Sequence, residues 1–446
     1  MTQRVVRLAL AAGVTVLVLL LLLTMCGTGE GGADGGKPRK PVRHSAAPLT
    51  RLTVPSAYDT GQGWEITNAS SEYAIARNSG RVGYLERARD DSFRLRTLDA
   101  ATGRPGWTGL PWHPPAAWGT ATGERFPRLL SVAKDGREYF VTWSFGKAGE
   151  DALTPADTFV ALDVYDVSDG ARQRVEVPWP AAPIVSGTGP GILISDGRTR
   201  TAVVDPVSGQ VTRVPEGALG HPKGCTGCRR LTEVRAVTAK GLLVSGAPGF
   251  WVRGGFSSRD VAPARTDPAS GVPTSIVPGR VLAKWQPAKG GAGSKDAGAY
   301  DIWAVHDAAT GKPLAQARCH KPAIEPGEYP QAVLATRGGY LVAGNLAFDL
   351  ERGTGHCFEE SDGSKPLTLT SVTDAGTAYG ATSALSPADA LAGGGDPIEL
   401  DLATAVPQAL SPNVRLPAAE AAGVGIFSWT DAKDRLHLIG YPRRER

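Results

Sequence analysis

Four stretches decide the fold: LRTLDAATGRPGW (95–107), VYDVSDGARQRVEV (164–177), TAVVDPVSGQVTRV (201–214) and IWAVHDAATGKPLA (302–315). Each runs from a β-type segment into an Asp, two or three small residues and a Gly, then into a second segment. That is the chemistry of a tight hairpin, in which the Asp side chain accepts from the turn amides and Gly takes positive φ at no steric cost. Weaker copies stand at 264–275 (ARTDPASGVPTS), 346–358 (LAFDLERGTGHCF) and 398–410 (IELDLATAVPQAL), the last without its glycine. The turn aspartates are Asp99, Asp166, Asp205, Asp267, Asp307, Asp349 and Asp401, spaced by 67, 39, 62, 40, 42 and 52 residues. A four-stranded propeller blade takes roughly 40–50 residues. Clustered carboxylates at one rim could also hold a cation, but local turn capping accounts for each of them.

Working outward, two further strand-like runs usually precede each turn. They include 127–133 and 137–145, 183–187 and 191–195, and 331–336 and 339–344; each is short, β-rich and bounded by Gly or Asp. The segments 146–157 (GKAGEDALTPAD) and 246–260 (GAPGFWVRGGFSSRD) read as insertions that lengthen two of the gaps. GWEITN (63–68) is a lone strand at the start, and GVGIFSWTD (423–431) with RLHLIGYPR (435–443) is a hairpin at the end that no Asp-Gly copy follows. Together they would complete one blade and join the ends of the array. The expectation is therefore an all-β propeller of eight blades over residues 61–446, or seven if Asp267 marks only an insertion. The 56 glycines and 34 prolines of the 446-residue chain disfavour long helices in any case.

The copies LDAATGRPGW and HDAATGKPLA resemble the repeat of the PQQ-like (quinoprotein-type) β-propellers, and only the copy ending at Trp107 keeps the closing tryptophan. The resemblance implies the blade type over about residues 60–446. It leaves function open, because quinone-dependent dehydrogenases, scaffold propellers of envelope assembly and extracellular sensor domains share such repeats. The dehydrogenases hold their quinone against adjacent cysteines. This chain has no Cys-Cys dipeptide, so a PQQ enzyme is the disfavoured alternative and no cofactor is expected. Nor does any G-x-S-x-G, H-E-x-x-H, Walker or EF-hand pattern occur.

Residues 8–25 (LALAAGVTVLVLLLLLTM) form an uncharged run of 18 residues behind Arg4 and Arg7. That is long enough to cross a bilayer, with the positive flank inside. Residues 1–26 are read as an uncleaved anchor; a cleaved signal, or a lipoprotein modified at Cys26, are the alternatives. Residues 27–60 read as a Gly/Pro-rich basic linker. The propeller would then lie on the extracytoplasmic side of the cell membrane. A net charge of +4 over this length, much of it near the two termini, leaves no nucleic-acid footprint.

In that compartment disulfides persist. Cys225 and Cys228 (HPKGCTGC) are expected to close a loop, with redox or metal chemistry as alternatives. Cys319 and Cys357 follow the Asp307 and Asp349 turns, in outer strands of neighbouring blades, and are expected to bond; with His320 and His356 they also make a conceivable zinc set. Trp112 and Trp118 in the Pro-rich PWHPPAAW are the candidate exposed ligand surface. The loops 289–299 and 380–396 are candidate contact loops. The function expected is a binding or scaffold module for an envelope protein or cell-wall polymer, with a PQQ-dependent oxidoreductase or an extracellular sensor module as alternatives.

Overall fold

The computed structural model describes residues 48–70, 72–116, 127–148, 157–198, 200–223, 231–247, 249–288, 297–361, 363–431 and 435–444. Residues 8–25, Cys26, Trp118, Cys225 and Cys228 lie outside them, as does most of the loop 289–299. Among the described residues no helix is long and apolar enough to cross a membrane. The fold is nearly all β.

Among the described residues the strands form eight antiparallel meanders in chain order. The first is Tyr73–Ala76, Arg81–Arg87, Phe93–Asp99 and Pro105–Thr108; the second is Arg128–Lys134, Arg137–Ala148, Asp157–Asp166 and Arg172–Pro178. The third comprises Ile184–Ser186, Ile192–Ser195, Thr201–Val204 and Val211–Val214, and the fourth Glu233–Thr238, Gly241–Gly246 and Gly249–Val252. The fifth is Val272–Val277, Arg280–Trp285, Tyr300–Asp307 and Pro313–His320. The sixth is Val333–Leu334, Tyr340–Ala343, Leu346–Asp349 and Thr354–Cys357, joined to the fifth by a parallel pairing of Gln316 with Thr354. The seventh is Leu367–Val372, Thr377–Thr382, Asp396–Asp401 and Val406–Ala409. In the eighth, Ala419–Ala421, Val424–Thr430 and Leu436–Pro442 are completed by Trp64–Ala69 from the other end of the chain, with Trp64 opposite Gly440 and Ile66 opposite Leu438.

Strand patterning follows position. The third strand of the second meander is covered on both faces and is buried from Val160 to Asp166, whereas the outer strand alternates, with Val175 and Val177 inward and Arg174 and Glu176 outward. The core is a series of apolar clusters, each shared by two successive meanders. Leu85 and Leu95 of the first meander pack with Phe140 and Tyr165 of the second; Leu341 and Phe348 of the sixth pack with Leu282 and Val305 of the fifth. The series ends on a cluster in which Ile426 and Leu438 of the eighth meander meet Val82 and Leu98 of the first. Apolar burial is the main driving force for such packing, and here it is shared among the inter-sheet junctions.

Six of the seven aspartates sit at the hairpin between third and fourth strands. Asp99 Oδ1 accepts from the Thr102 amide and hydroxyl at 2.9 and 2.8 Å, and Asp307 Oδ1 from the Thr310 amide and hydroxyl at 2.9 Å each. Asp166, Asp205, Asp349 and Asp401 make the equivalent bonds to turn amides. Asp267 departs from this. It caps a turn through the Ala269 amide at 2.9 Å, but on the connector before Val272–Val277. The hairpin of the fourth meander lies instead at Arg253–Gly255, where the Val252 amide donates to Phe256 O and the Ser258 amide to Phe250 O. The segment 246–260 is thus part of a meander rather than an insertion.

At the copy that lost its glycine, Ala405 takes φ 55° and its amide donates to Asp401 O at 2.8 Å, as the Gly103 amide does to Asp99 O. A Cβ in the left-handed region is strained by ~1–2 kcal/mol. Ala405→Gly is therefore expected to stabilise the fold by about 0.5–1 kcal/mol, after the extra freedom of glycine in the unfolded chain is subtracted. Urea unfolding of the two proteins checks it.

Two further expectations are corrected. Residues 48–60, read as the end of the linker, pack on the sheets: Tyr58 is buried, bridges Arg443 and donates to Glu420 Oε2 at 3.0 Å, and the Thr50 hydroxyl donates to Glu65 Oε1 at 2.6 Å. The apolar side chains Leu52, Val54 and Ala57 in this stretch cover the junction of the seventh and eighth meanders. The loop 380–396 is also largely ordered structure. It carries the short helix Pro387–Ala392, capped by Ser386 through the Asp389 amide, with Ala390 buried.

His306 is fully buried in the fifth meander, against Trp285 and Phe250, with Nδ1 2.8 Å from Gly311 O. Burial drives its pKa down to about 4, against the pull of that carbonyl. The folded state therefore takes up this proton more reluctantly than the unfolded chain, whose His titrates near 6.5. The contribution is complete above pH ~6.5 and is lost progressively as pH falls towards about 4, amounting to about 3 kcal/mol. His306→Gln is expected to flatten the pH dependence of unfolding in that window, and parallel profiles for the two proteins would refute the assignment.

Candidate functional site: a pocket where five hairpins meet

The turn between first and second strands recurs once per meander, and five of these regions converge. The ends of the first strands, or the turns after them, in the first, second, third, fifth and sixth meanders line one cavity of about 320 Å3. Ile75, Val132, Pro190, Pro278 and Leu334 supply apolar wall; Gly187, Gly189, Gly279 and Gly338 bring main chain close. The approach at Gly189 is tight enough that a Cβ there would lie 1.7 Å from Val237 O. Its size is at the small end of ordinary ligand pockets.

The charged side chains of the lining are Arg77, Arg280, Arg337 and Glu138. Three of them are engaged. Both Glu138 oxygens accept main-chain N–H groups, from Asn78 at 3.0 Å and Ser79 at 2.7 Å. Arg280 pairs with Asp307 at 3.2 Å, and Arg337 with Asp374 at 3.9 Å while its amide donates to the same carboxylate at 2.7 Å. Arg77 differs. Its Nη1 reaches from the first meander to the main-chain oxygen of Leu334 in the sixth, and among the described residues it has no ion-pair partner. Burial lowers the Arg77 pKa from its ordinary value, and the charges of Asp374 and Glu138 offset this only in part.

The sequence-predicted residues fall elsewhere. Trp112 is a correction: it is 3% exposed, not a surface aromatic. Its main chain exchanges two 2.8 Å hydrogen bonds with Phe93, so the Pro-rich segment runs as an edge against the first meander. Cys319 and Cys357 are bonded to each other, between the outer strands of the fifth and sixth meanders. Their sulfurs lie close to Glu359, but a disulfide offers no thiolate to a metal. His320 is committed to Glu359 at 2.5 Å, so the zinc set is not assembled.

No protein-family model and no curated protein matches the chain. Among solved structures 244 chains match. One is the Pyrococcus horikoshii acylaminoacyl peptidase (orthorhombic crystal form), similar at 11% identity and a TM-score of 0.34 over 71% of this chain. This chain spans 50% of the length of that one. A likeness this loose carries nothing about activity.

Chemically, the pocket can bind and orient; among the described residues, no lining hydroxyl is hydrogen-bonded to the lining carboxylate Glu138. Nucleophilic or general-base chemistry needs a nucleophile and a base within hydrogen-bond reach. Ser131, Thr188 and Thr336 are the lining hydroxyls, and that of Thr336 donates to Glu420 O at 3.1 Å. The one lining carboxylate is already held by two amides. Sequence reading missed Arg77 because AIARNSGR (74–81) carries no motif; the site exists only once five distant segments meet.

Proposed function

We propose that the chain is an eight-bladed β-propeller of the PQQ-like type, held by residues 8–25 on the outer face of the cytoplasmic membrane. It works there as a binding or scaffold module for an envelope protein or a cell-wall polymer rather than as an enzyme. The eight meanders are its blades, the pairing of Trp64–Ala69 with Leu436–Pro442 its closure, and the five-hairpin pocket the mouth of its axial channel. The pocket carries the reading: it is built mostly from turn backbone and small side chains, with one cation left over and no histidine–carboxylate pair among its described lining residues. The Cys319–Cys357 bond suits an oxidising compartment.

The test uses the full chain with a C-terminal tag in intact spheroplasts. Protease added outside should remove the tag; protection of the tag until the membrane is opened would contradict the topology. The purified chain is then titrated with PQQ and calcium. An unchanged spectrum and melting temperature are expected, and saturable binding with a new absorbance band would make the oxidoreductase reading the better one.

A further inference from the structure

The reading of the five-hairpin pocket as the binding site leaves its ligand chemistry open, and Arg77 narrows it. Buried or half-buried guanidinium groups are normally matched by a carboxylate or fully hydrogen-bonded, because an unmatched charge away from water is costly. Arg77 is half-buried, and its one hydrogen bond among the described residues uses Nη1 on the Leu334 carbonyl. The two acids whose charges act on Arg77 make their hydrogen bonds elsewhere, Glu138 with the Asn78 and Ser79 amides and Asp374 with the Arg337 amide. Neither Nε nor Nη2 of Arg77 is among the buried polar atoms left without a partner. Those donors therefore stay accessible to solvent, on a residue that lines the cavity.

Resting on that reading, we propose that the pocket takes a carboxylate-bearing ligand, with the carboxylate held by the Arg77 donors that the Leu334 carbonyl leaves free. The guanidinium fork matches the two oxygens of a carboxylate. One negative charge satisfies one unmatched cation. A second would face the Glu138 carboxylate across the same small cavity, so a phosphate dianion fits less well. Ile75, Val132 and Leu334 give the rest of the ligand apolar wall. The carboxylate is either that of a small organic acid or the free end of a peptide.

Calorimetric titration of the full chain in detergent at low salt separates these. The probes are hexanoate, N-acetyl-trialanine as the free acid, its C-terminal amide, and inorganic phosphate. Saturable binding of hexanoate or of the peptide acid is expected, at least tenfold tighter than the amide or phosphate. Tighter hexanoate identifies a small acid, and a tighter peptide acid identifies a chain end. Arg77→Gln should weaken the acid at least tenfold, with Arg77→Lys between the two.

Acid and amide binding equally well would overturn the carboxylate while keeping the pocket as the binding site. Failure of every probe would overturn both, and parent-like binding by Arg77→Gln would remove Arg77 from the site.

Discussion

Trp64→Ala is expected to destabilise the protein by about 3–5 kcal/mol, the usual loss when a buried tryptophan is truncated. Trp64 is only 6% exposed, and its Nε1 donates to Ala100 O at 2.7 Å across the junction between the eighth and first meanders. The side chain lies on Gly103, the turn glycine of the first repeat, where a Cβ would come within 2.3 Å of the Trp64 Cβ and 2.7 Å of the ring. It also fills the space over Gly440, its own partner in the neighbouring strand. Truncation would leave a void on both sides and an unpaired carbonyl. Trp107 does the same one meander on, with Nε1 on Val167 O at 2.8 Å and its ring over Gly170. Trp107→Ala should cost less, because that ring is only half-buried and its loss does not loosen the chain closure. Urea unfolding of both variants checks the order, and equal losses would mean that closure adds nothing to ordinary packing.

Loss of the Cys319–Cys357 bond is expected to cost about 3–4 kcal/mol, since the chain-entropy model assigns that much to a loop of this length. The two sulfurs are 38 positions apart in sequence and join the outer strands of the fifth and sixth meanders. Those strands otherwise meet side by side through the pairing of Gln316 with Thr354. A reductant should therefore lower the unfolding midpoint of the parent but not that of the Cys319→Ala/Cys357→Ala protein. The variant keeps Cys225 and Cys228, so a midpoint that still falls on reduction would assign the effect to that pair instead. Non-reducing mass spectrometry reports the 319–357 linkage directly.

The repeat was legible because each copy satisfies its own turn. The Asp side chain and the positive-φ residue are local requirements, visible without knowing any partner. The same locality misled at Asp267, which caps a turn of the right chemistry in the wrong place, while the fourth meander turns at Arg253–Gly255 with no aspartate. Closure was readable from the unpaired strand at 63–68 and the surplus hairpin at 423–443. The placing of Trp64 over Gly103 was not, since the two belong to different meanders. Trp112 failed for a related reason: a Pro-rich flank suggests exposure, but its main chain pairs with Phe93 and the ring is covered. The pocket was beyond sequence reading altogether, because Arg77, Glu138, Arg280 and Leu334 come from separate segments and share no motif.

Native-state hydrogen exchange on the full chain tests the closed array most directly. Head-to-tail closure predicts that the hydrogen-bonded amides of Trp64–Ala69 open with the same free energy as those of Leu436–Pro442, at or near global unfolding. Exchange of the 64–69 amides at the rate of an unstructured chain, with 436–442 still protected, would contradict it.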